Sequence, residues 1–293
     1  MSVTLEQVQE IVGKPQPSFT YSYTTRDVSL YALGVGAPAD WLDQDELQFV
    51  YELTDQGFKA LPSFAVIYGS EQIHQILSGR IGEIQFNPMM LVHGEQAVAI
   101  RKPLPVAATI TCHPRISAIY DKGSGMLVVT ELDCQDTKGE TVAVLESSMF
   151  IRGMGGFGGE RGTSEKTNIP PERAPDAVMT EKTLEKQALV YRLSGDINPL
   201  HADPKMAAIG DFDRPILHGL CTFGFAMRAV LKHFCDNDPS RFKAARVRFS
   251  KHVFPGETLI TEMWKEGDTV IFQTKVQERD EVVLSYAGAT ITD

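Results

Sequence analysis

The stretch Leu220-Cys221-Thr222-Phe223-Gly224-Phe225-Ala226-Met227-Arg228-Ala229-Val230-Leu231-Lys232-His233-Phe234 carries apolar side chains nearly all round a 3.6-residue period, the mark of a helix buried on most of its sides. Something must wrap it. Residues 245–253, 258–264, 269–277 and 281–290, rich in Val, Ile, Thr and Phe and separated by Pro255-Gly256, Gly267-Asp268 and Arg279-Asp280, read as successive β-strands. A long buried helix followed by antiparallel strands is an α+β pattern. The first half ends likewise, with strands expected over residues 105–116, 127–134 and 142–151 and turns at Asp121-Lys122-Gly123-Ser124-Gly125 and at Asp136 to Gly139.

Between these runs the composition changes abruptly: six glycines fall between Gly153 and Gly162, followed by Pro170, Pro171 and Pro175. No compact element is expected there. The chain therefore divides into residues 1–152, a linker over 153–181, and residues 182–293. The two halves echo each other, which is the test for an internal repeat. Leu30-Tyr31-Ala32-Leu33-Gly34 matches Val190-Tyr191-Arg192-Leu193-Ser194 at a separation of 160. Leu61 to Phe64 matches Leu217 to Leu220, and Lys102 to Pro105 with Thr109-Ile110-Thr111 matches Lys251 to Pro255 with Leu259-Ile260-Thr261.

The 293 residues carry a net charge of −10, with 43% apolar and 23% charged side chains, so a nucleic-acid platform and a disordered chain are both disfavoured. A local group of Lys and Arg can still hold one phosphorylated ligand. No run approaches the roughly 20 apolar residues that span a bilayer, so no membrane partner is expected. Cys112, Cys134, Cys221 and Cys235 have no metal-ligand or disulfide-framework spacing, which points to reduced thiols. His74, His113, His233 and His252 likewise lack metal spacing, and no metal site is expected. Neither Met1-Ser2-Val3 nor Ile291-Thr292-Asp293 reads as a targeting signal.

The chemistry concentrates in Tyr191 to His201. Pro199 suits the first position of a helix and holds Asn198 extended, where its side chain can cap the turn. Asp196 lies just before that turn and His201 inside it, so one short stretch presents a carboxylate and an imidazole able to activate a water. Downstream, Arg214-Pro215-Ile216-Leu217-His218-Gly219 leads into the buried helix. The Gly219 N–H is one of the unpaired donors at a helix start and suits a developing oxyanion.

Gly195-Asp196-Ile197-Asn198-Pro199-Leu200-His201 followed by Pro215-Ile216-Leu217-His218-Gly219-Leu220-Cys221-Thr222 resembles the signature of type 2, MaoC-like, (R)-specific enoyl-CoA hydratases. Within that family the hydratase domains of peroxisomal multifunctional enzymes are most similar, and the likeness extends over nearly the whole chain. The resemblance implies a double hot-dog fold, in which two sheets each wrap a helix and pair edge to edge. It implies that Asp196 and His201 direct one water to C3 of a trans-2-enoyl-CoA in fatty acid β-oxidation, giving the (3R)-hydroxyacyl-CoA. Gly219 would then donate to the thioester oxygen and Asn198 would steady the loop.

The family also needs a glutamate for activity in a Phe-x-Tyr-Glu stretch, here Phe49-Val50-Tyr51-Glu52, so Glu52 is expected among the catalytic residues, as a member of a hydrogen-bond network or, alternatively, in direct proton transfer. His93, Gly94, Lys122 and Phe249 match positions around the CoA ligand. The resemblance further implies no cofactor, an acyl-CoA partner, a homodimer and a peroxisomal setting; a cytoplasmic one is the alternative. Gly36 and Trp41 stand where the repeat would place a second acid/base pair, so one active site per chain is expected, with the first half reshaped to admit a long or branched acyl tail.

Other readings compete. Gly153-Met154-Gly155-Gly156-Phe157-Gly158 fits a dinucleotide fingerprint, but prolines and not a helix follow it. A dehydratase or hydratase acting on acyl-carrier-protein thioesters and a non-catalytic acyl-thioester-binding module are the two functional alternatives.

Overall fold

A computed structural model describes residues 3–163 and 166–292. Ser164 and Glu165 of the expected linker, and Met1, Ser2 and Asp293 at the ends read for targeting signals, lie outside the described residues. The first half contributes strands β1 (Phe19–Tyr23), β2 (Leu91–Ile100), β3 (Ala108–Asp121), β4 (Gly125–Gln135) and β5 (Thr141–Arg152). The second contributes β6 (Ala177–Lys182), β7 (Phe242–Phe249), β8 (Thr258–Glu266), β9 (Thr269–Val276) and β10 (Glu281–Ile291). They form one ten-stranded antiparallel sheet in the order β1-β3-β4-β5-β2-β7-β10-β9-β8-β6. Read inward from either edge, each half repeats the same order, and β2 pairs with β7 at the seam. The α+β class and the double hot-dog arrangement are as expected.

Four helices position the site: α1 (Thr25–Gly34), α2 (Ser70–Leu77), α3 (Gln187–Tyr191) and α4 (Gly219–Phe234). Every residue of α4 from Leu220 to Leu231 is buried, Arg228 included. This fits its all-round apolar pattern. In the first half the corresponding core element is a composite: a wholly buried 3₁₀ segment, Pro62–Gly69, runs directly into α2. Pro62 starts it, at the position where a missing N–H costs nothing.

The echoed tyrosines meet. Tyr31 of α1 and Tyr191 of α3, 160 residues apart, are both fully buried with ring centroids 6.0 Å apart. Gly34 permits this crossing, since a Cβ there would lie 3.3 Å from the Tyr191 Cα. The Gln187 amide donates to the Gly34 carbonyl at 2.7 Å. The internal repeat is thus a physical pairing of like elements about one axis.

The strands depart from the sequence reading at several points, among them the strand expected over residues 105–116, which starts at Ala108 and runs on to Asp121. β1, β2 and β6 were not foreseen. β6 occupies the last residues of the expected linker and forms a sheet edge against β8, which leaves residues 153–176 as the segment without helix or strand among those described. β7 begins earlier than expected and stops at Phe249, because the chain beyond it bends toward the approach to α4, where Leu217 N–H donates to Val253 at 2.7 Å. No helix among the described residues is long and apolar enough to cross a membrane.

Candidate active site

α3 continues into a 3₁₀ turn that ends at Gly195, whose φ of +128° lies in the region that favours glycine. A Cβ on Gly195 would also stand 3.0 Å from the Ser70 Oγ. The bare backbone therefore lets the following loop lie against the first half's core element. Asn198 takes the expected cap position with φ −52° and ψ 120°, and its side chain accepts the Leu200 N–H at 3.1 Å; Pro199 opens a 3₁₀ turn, Pro199–His201. The Asp196 carboxylate accepts the Asn198 N–H at 3.3 Å. Local chemistry alone thus sets the Asp196 and His201 side chains on one short loop.

Their protonation follows from their partners. His201 is buried, and its Nδ1 lies 2.9 Å from the Ile216 carbonyl, which can only accept. Nδ1 therefore carries the proton, and Nε2 keeps its lone pair. Burial holds the His201 pKa below the ordinary imidazole value, although the nearby Asp196 charge opposes the shift. The imidazole is neutral and poised as a base.

His218 completes the cluster. It caps the start of α4 and is almost wholly buried; its Nε2 donates to the Asp196 backbone carbonyl at 3.1 Å. One face stacks on His201, with centroids 3.8 Å apart, and Tyr191 lies 4.8 Å from its ring centre. Burial, reinforced by His201, pushes its pKa down to about 3 despite Asp196. Asp196, His201 and His218 each offer one ligating atom, all within 4.8 Å of one another. As a donor set this could suit a metal ion. However, the imidazole planes are inclined by only 29°, so they meet far outside coordination distance and their in-plane lone pairs do not converge on one ion.

The opposite wall comes from the seam between halves. A Cβ on Gly219 would lie 3.1 Å from the Phe249 ring at the end of β7, so glycine lets that ring approach the helix start. The Gly219 N–H finds no acceptor among the described residues. His93 of β2 packs on Phe249 with centroids 4.8 Å apart, and its Nε2 is enclosed without a hydrogen-bond partner. Burial lowers its pKa to about 4, against the pull of Asp196. Gly94 sits at a bulge in β2, where a Cβ would lie 3.1 Å from the Ser148 Oγ. Residues more than 100 positions apart are brought together, and both halves build one site.

Lys122 stands apart from this cluster on the β3–β4 turn, its Nζ 5.5 Å from the centre of the Tyr120 ring. Glu52 departs from expectation. It is exposed on a turn and makes no hydrogen bond or ion pair among the described residues. The carboxylate that does enter a network is Glu46, six residues earlier, which receives the Ala39 N–H and pairs with Arg228 at 2.9 Å. The buried polar target, Arg228, lies in the other half of the chain and had no sequence signal pointing to it. His218 was also missed as a site residue; its place immediately before the helix start, beside Gly219, was the available sign.

The position related by the repeat is closed. Gly195 abuts Ile67 and Ser70, whereas Gly36 abuts Phe225 and Arg228, likewise three residues apart on the opposite core helix. Arg228 fills that space, bonded to Glu46, Glu181 and the Val35 carbonyl at 2.9, 2.9 and 3.0 Å.

Comparison with known proteins gives two family matches: the MFE-2 hydratase 2 N-terminal domain over residues 21–153 and a MaoC-like domain over residues 166–287. A probable enoyl-CoA hydratase 2 of Dictyostelium discoideum is 46% identical over 288 residues, covering 97% of this chain and 96% of its own. The peroxisomal multifunctional enzyme type 2 of Mus musculus is 48% identical over 282 residues, covering 94% of this chain but 37% of its own. A crystal structure of a MaoC-like dehydratase from Phytophthora Capsici superposes with a TM-score of 0.89 at 40% identity, covering 98% of both chains.

Proposed function

The chain belongs to the type 2, MaoC-like enoyl-CoA hydratases, and on that premise we propose how its residues hydrate a trans-2-enoyl-CoA in fatty acid β-oxidation. The observation that carries the mechanism is the spacing of the Asp196 carboxylate and the His201 imidazole. Ligating atoms within 4.8 Å can both reach one water at ordinary hydrogen-bond lengths of about 2.8 Å each. The water oxygen bonds to C3 as the pair accepts one of its protons, and a proton passes to C2 as the C2=C3 π bond breaks. One H and one OH are added, and the pair returns to its starting state. Such proton transfer contributes about 10²- to 10⁴-fold.

Negative charge develops on the thioester oxygen during the addition. The Gly219 N–H, at the positive end of α4, supplies the donor, and one such donor is worth about 3–4 kcal/mol of barrier. Asn198 holds the loop. His93, Gly94 and Phe249 line the acyl-thioester entry, and Lys122 meets the CoA portion. CoA belongs to the substrate, and no further cofactor takes part. A (3R) product, a homodimer and a peroxisomal setting accompany this reading; peroxisomal relatives support the last.

The test is a series of trans-2-enoyl-CoA esters of increasing length and branching, followed by loss of enoyl absorbance with chiral analysis of the product. Turnover to the 3R alcohol is expected, whereas 3S product would refute the assigned geometry. Carrier-protein thioesters at equal concentration should be turned over more slowly. Faster turnover would move the substrate class to acyl carrier protein.

A further inference from the structure

The glycine-rich segment after β5 is tied down. Asp121, buried at the end of β3, accepts the backbone N–H groups of Gly123, Gly156 and Gly158 at 2.8, 2.8 and 2.9 Å, and its own N–H donates to the Glu160 carbonyl at 2.8 Å. Gly155 lies flat on the β3–β4 turn, where a Cβ would stand 2.4 Å from the Gly123 carbonyl oxygen. The segment is thus folded back over the turn that carries Lys122.

The fold-back delivers a second cation. The Arg161 guanidinium comes within 3.6 Å of the Cβ position of Gly123, the residue next to Lys122, and Gly162 packs on the same Tyr120 ring that Lys122 approaches. Neither Lys122 nor Arg161 has a carboxylate partner among the described residues. In a chain of net charge −10, Lys122 on the turn and Arg161 on the segment folded over it, neither paired among the described residues, offer a local anion site.

Sheet register connects that turn to the active site. Gly125 of β4 lies opposite Arg152 of β5, and Ile151 opposite Leu91 of β2, two residues before His93. Two strand spacings of about 4.8 Å each separate the strand of His93 from that of the turn. A cleft of about 590 Å³ lined by Arg80, Met90, Arg152 and Met154 adjoins the same strand ends.

We infer that Arg161, held in place by Asp121, joins Lys122 in binding the phosphates of coenzyme A, so that the segment between the halves is part of the substrate site. This rests on the CoA-thioester reading above. A guanidinium pairs with phosphate through two parallel N–H donors, which makes it the more selective of the two cations.

The test is calorimetric titration of the whole protein with free coenzyme A and with pantetheine, in wild type, in Arg161→Ala and in Lys138→Ala, which removes an exposed charge at the opposite end of the β4–β5 hairpin. Arg161→Ala should weaken coenzyme A about tenfold, the scale of one charge-assisted hydrogen bond, and leave pantetheine affinity unchanged. Lys138→Ala should change none of them. Unaltered coenzyme A affinity in Arg161→Ala, or equal weakening in both variants, would overturn the inference while leaving hydration intact. A wild type that binds coenzyme A through Arg161 but turns over no enoyl thioester would instead remove the hydratase reading and keep the site.

Discussion

The imidazoles of His201 and His218 lie stacked 3.8 Å apart, and the second is bonded through Nε2 to the backbone of Asp196, the partner of the first. His218 therefore touches both members of the acid/base pair without needing to touch substrate. On the proposed mechanism it is a positioning residue.

His218→Phe preserves a flat ring against His201 but removes the N–H that holds the Asp196 carbonyl. A lost hydrogen bond of this kind costs about 1–3 kcal/mol, so kcat should fall roughly tenfold to a hundredfold. KM should change little. His218→Gln, which can restore a donor, should recover part of the loss; failure of both effects in steady-state kinetics would remove the positioning role.

Asp196→Asn and His201→Gln should each abolish measurable hydration with little change in melting temperature, if the two side chains act on the water as proposed. Turnover retained within about tenfold of wild type would refute the proposed roles.

The three histidines of the site have pKa values lowered by burial: His201, His218 to about 3 and His93 to about 4. Below pH ~6.5 the unfolded chain protonates them and the folded chain does not, so the unfolded state binds more protons and stability falls as pH drops toward 4. Each histidine that stays neutral contributes about 1.4 kcal/mol per pH unit in that window. Melting curves should shift downward with acid, and His218→Phe should flatten the slope. The acid limb of kcat/KM should lie below pH 6.5, because His201 stays neutral there; a limb centred at pH 7 or above would contradict the assigned base.

Glu46→Ala leaves the buried Arg228 with only Glu181 and a carbonyl. Removing one partner of a buried pair costs about 3–5 kcal/mol, so chemical denaturation should show a marked loss of stability. Activity per folded molecule should be retained, because the pair lies at the closed position and not at Asp196. A titration with a tight product analogue should give one equivalent per chain; two would mean that the closed position also binds.

Legibility in the sequence followed the range of the interactions. α4 and the three later strands of each half carry strong periodicity, and the Asp196–His201 loop is governed by residues within six positions of one another. Both could be read directly. β2 was hidden because Gly94 and the small Ala97 and Ala99 dilute its alternation, and β6 because it follows directly on the Gly- and Pro-rich run ending at Pro175. His93 and Phe249 entered through resemblance alone, since their meeting depends on β2 and β7 pairing across the chain. Glu46, not Glu52, joins the buried network for the same reason: its partner Arg228 is 182 residues away.

Arg228 also fixes the inequality of the two halves. Installing an acid at Gly36 and an imidazole at Trp41 would not revive the silent copy, because a guanidinium and two carboxylates already occupy its floor. Reactivation would require discarding those charges together, while any single discard strands the rest in the interior.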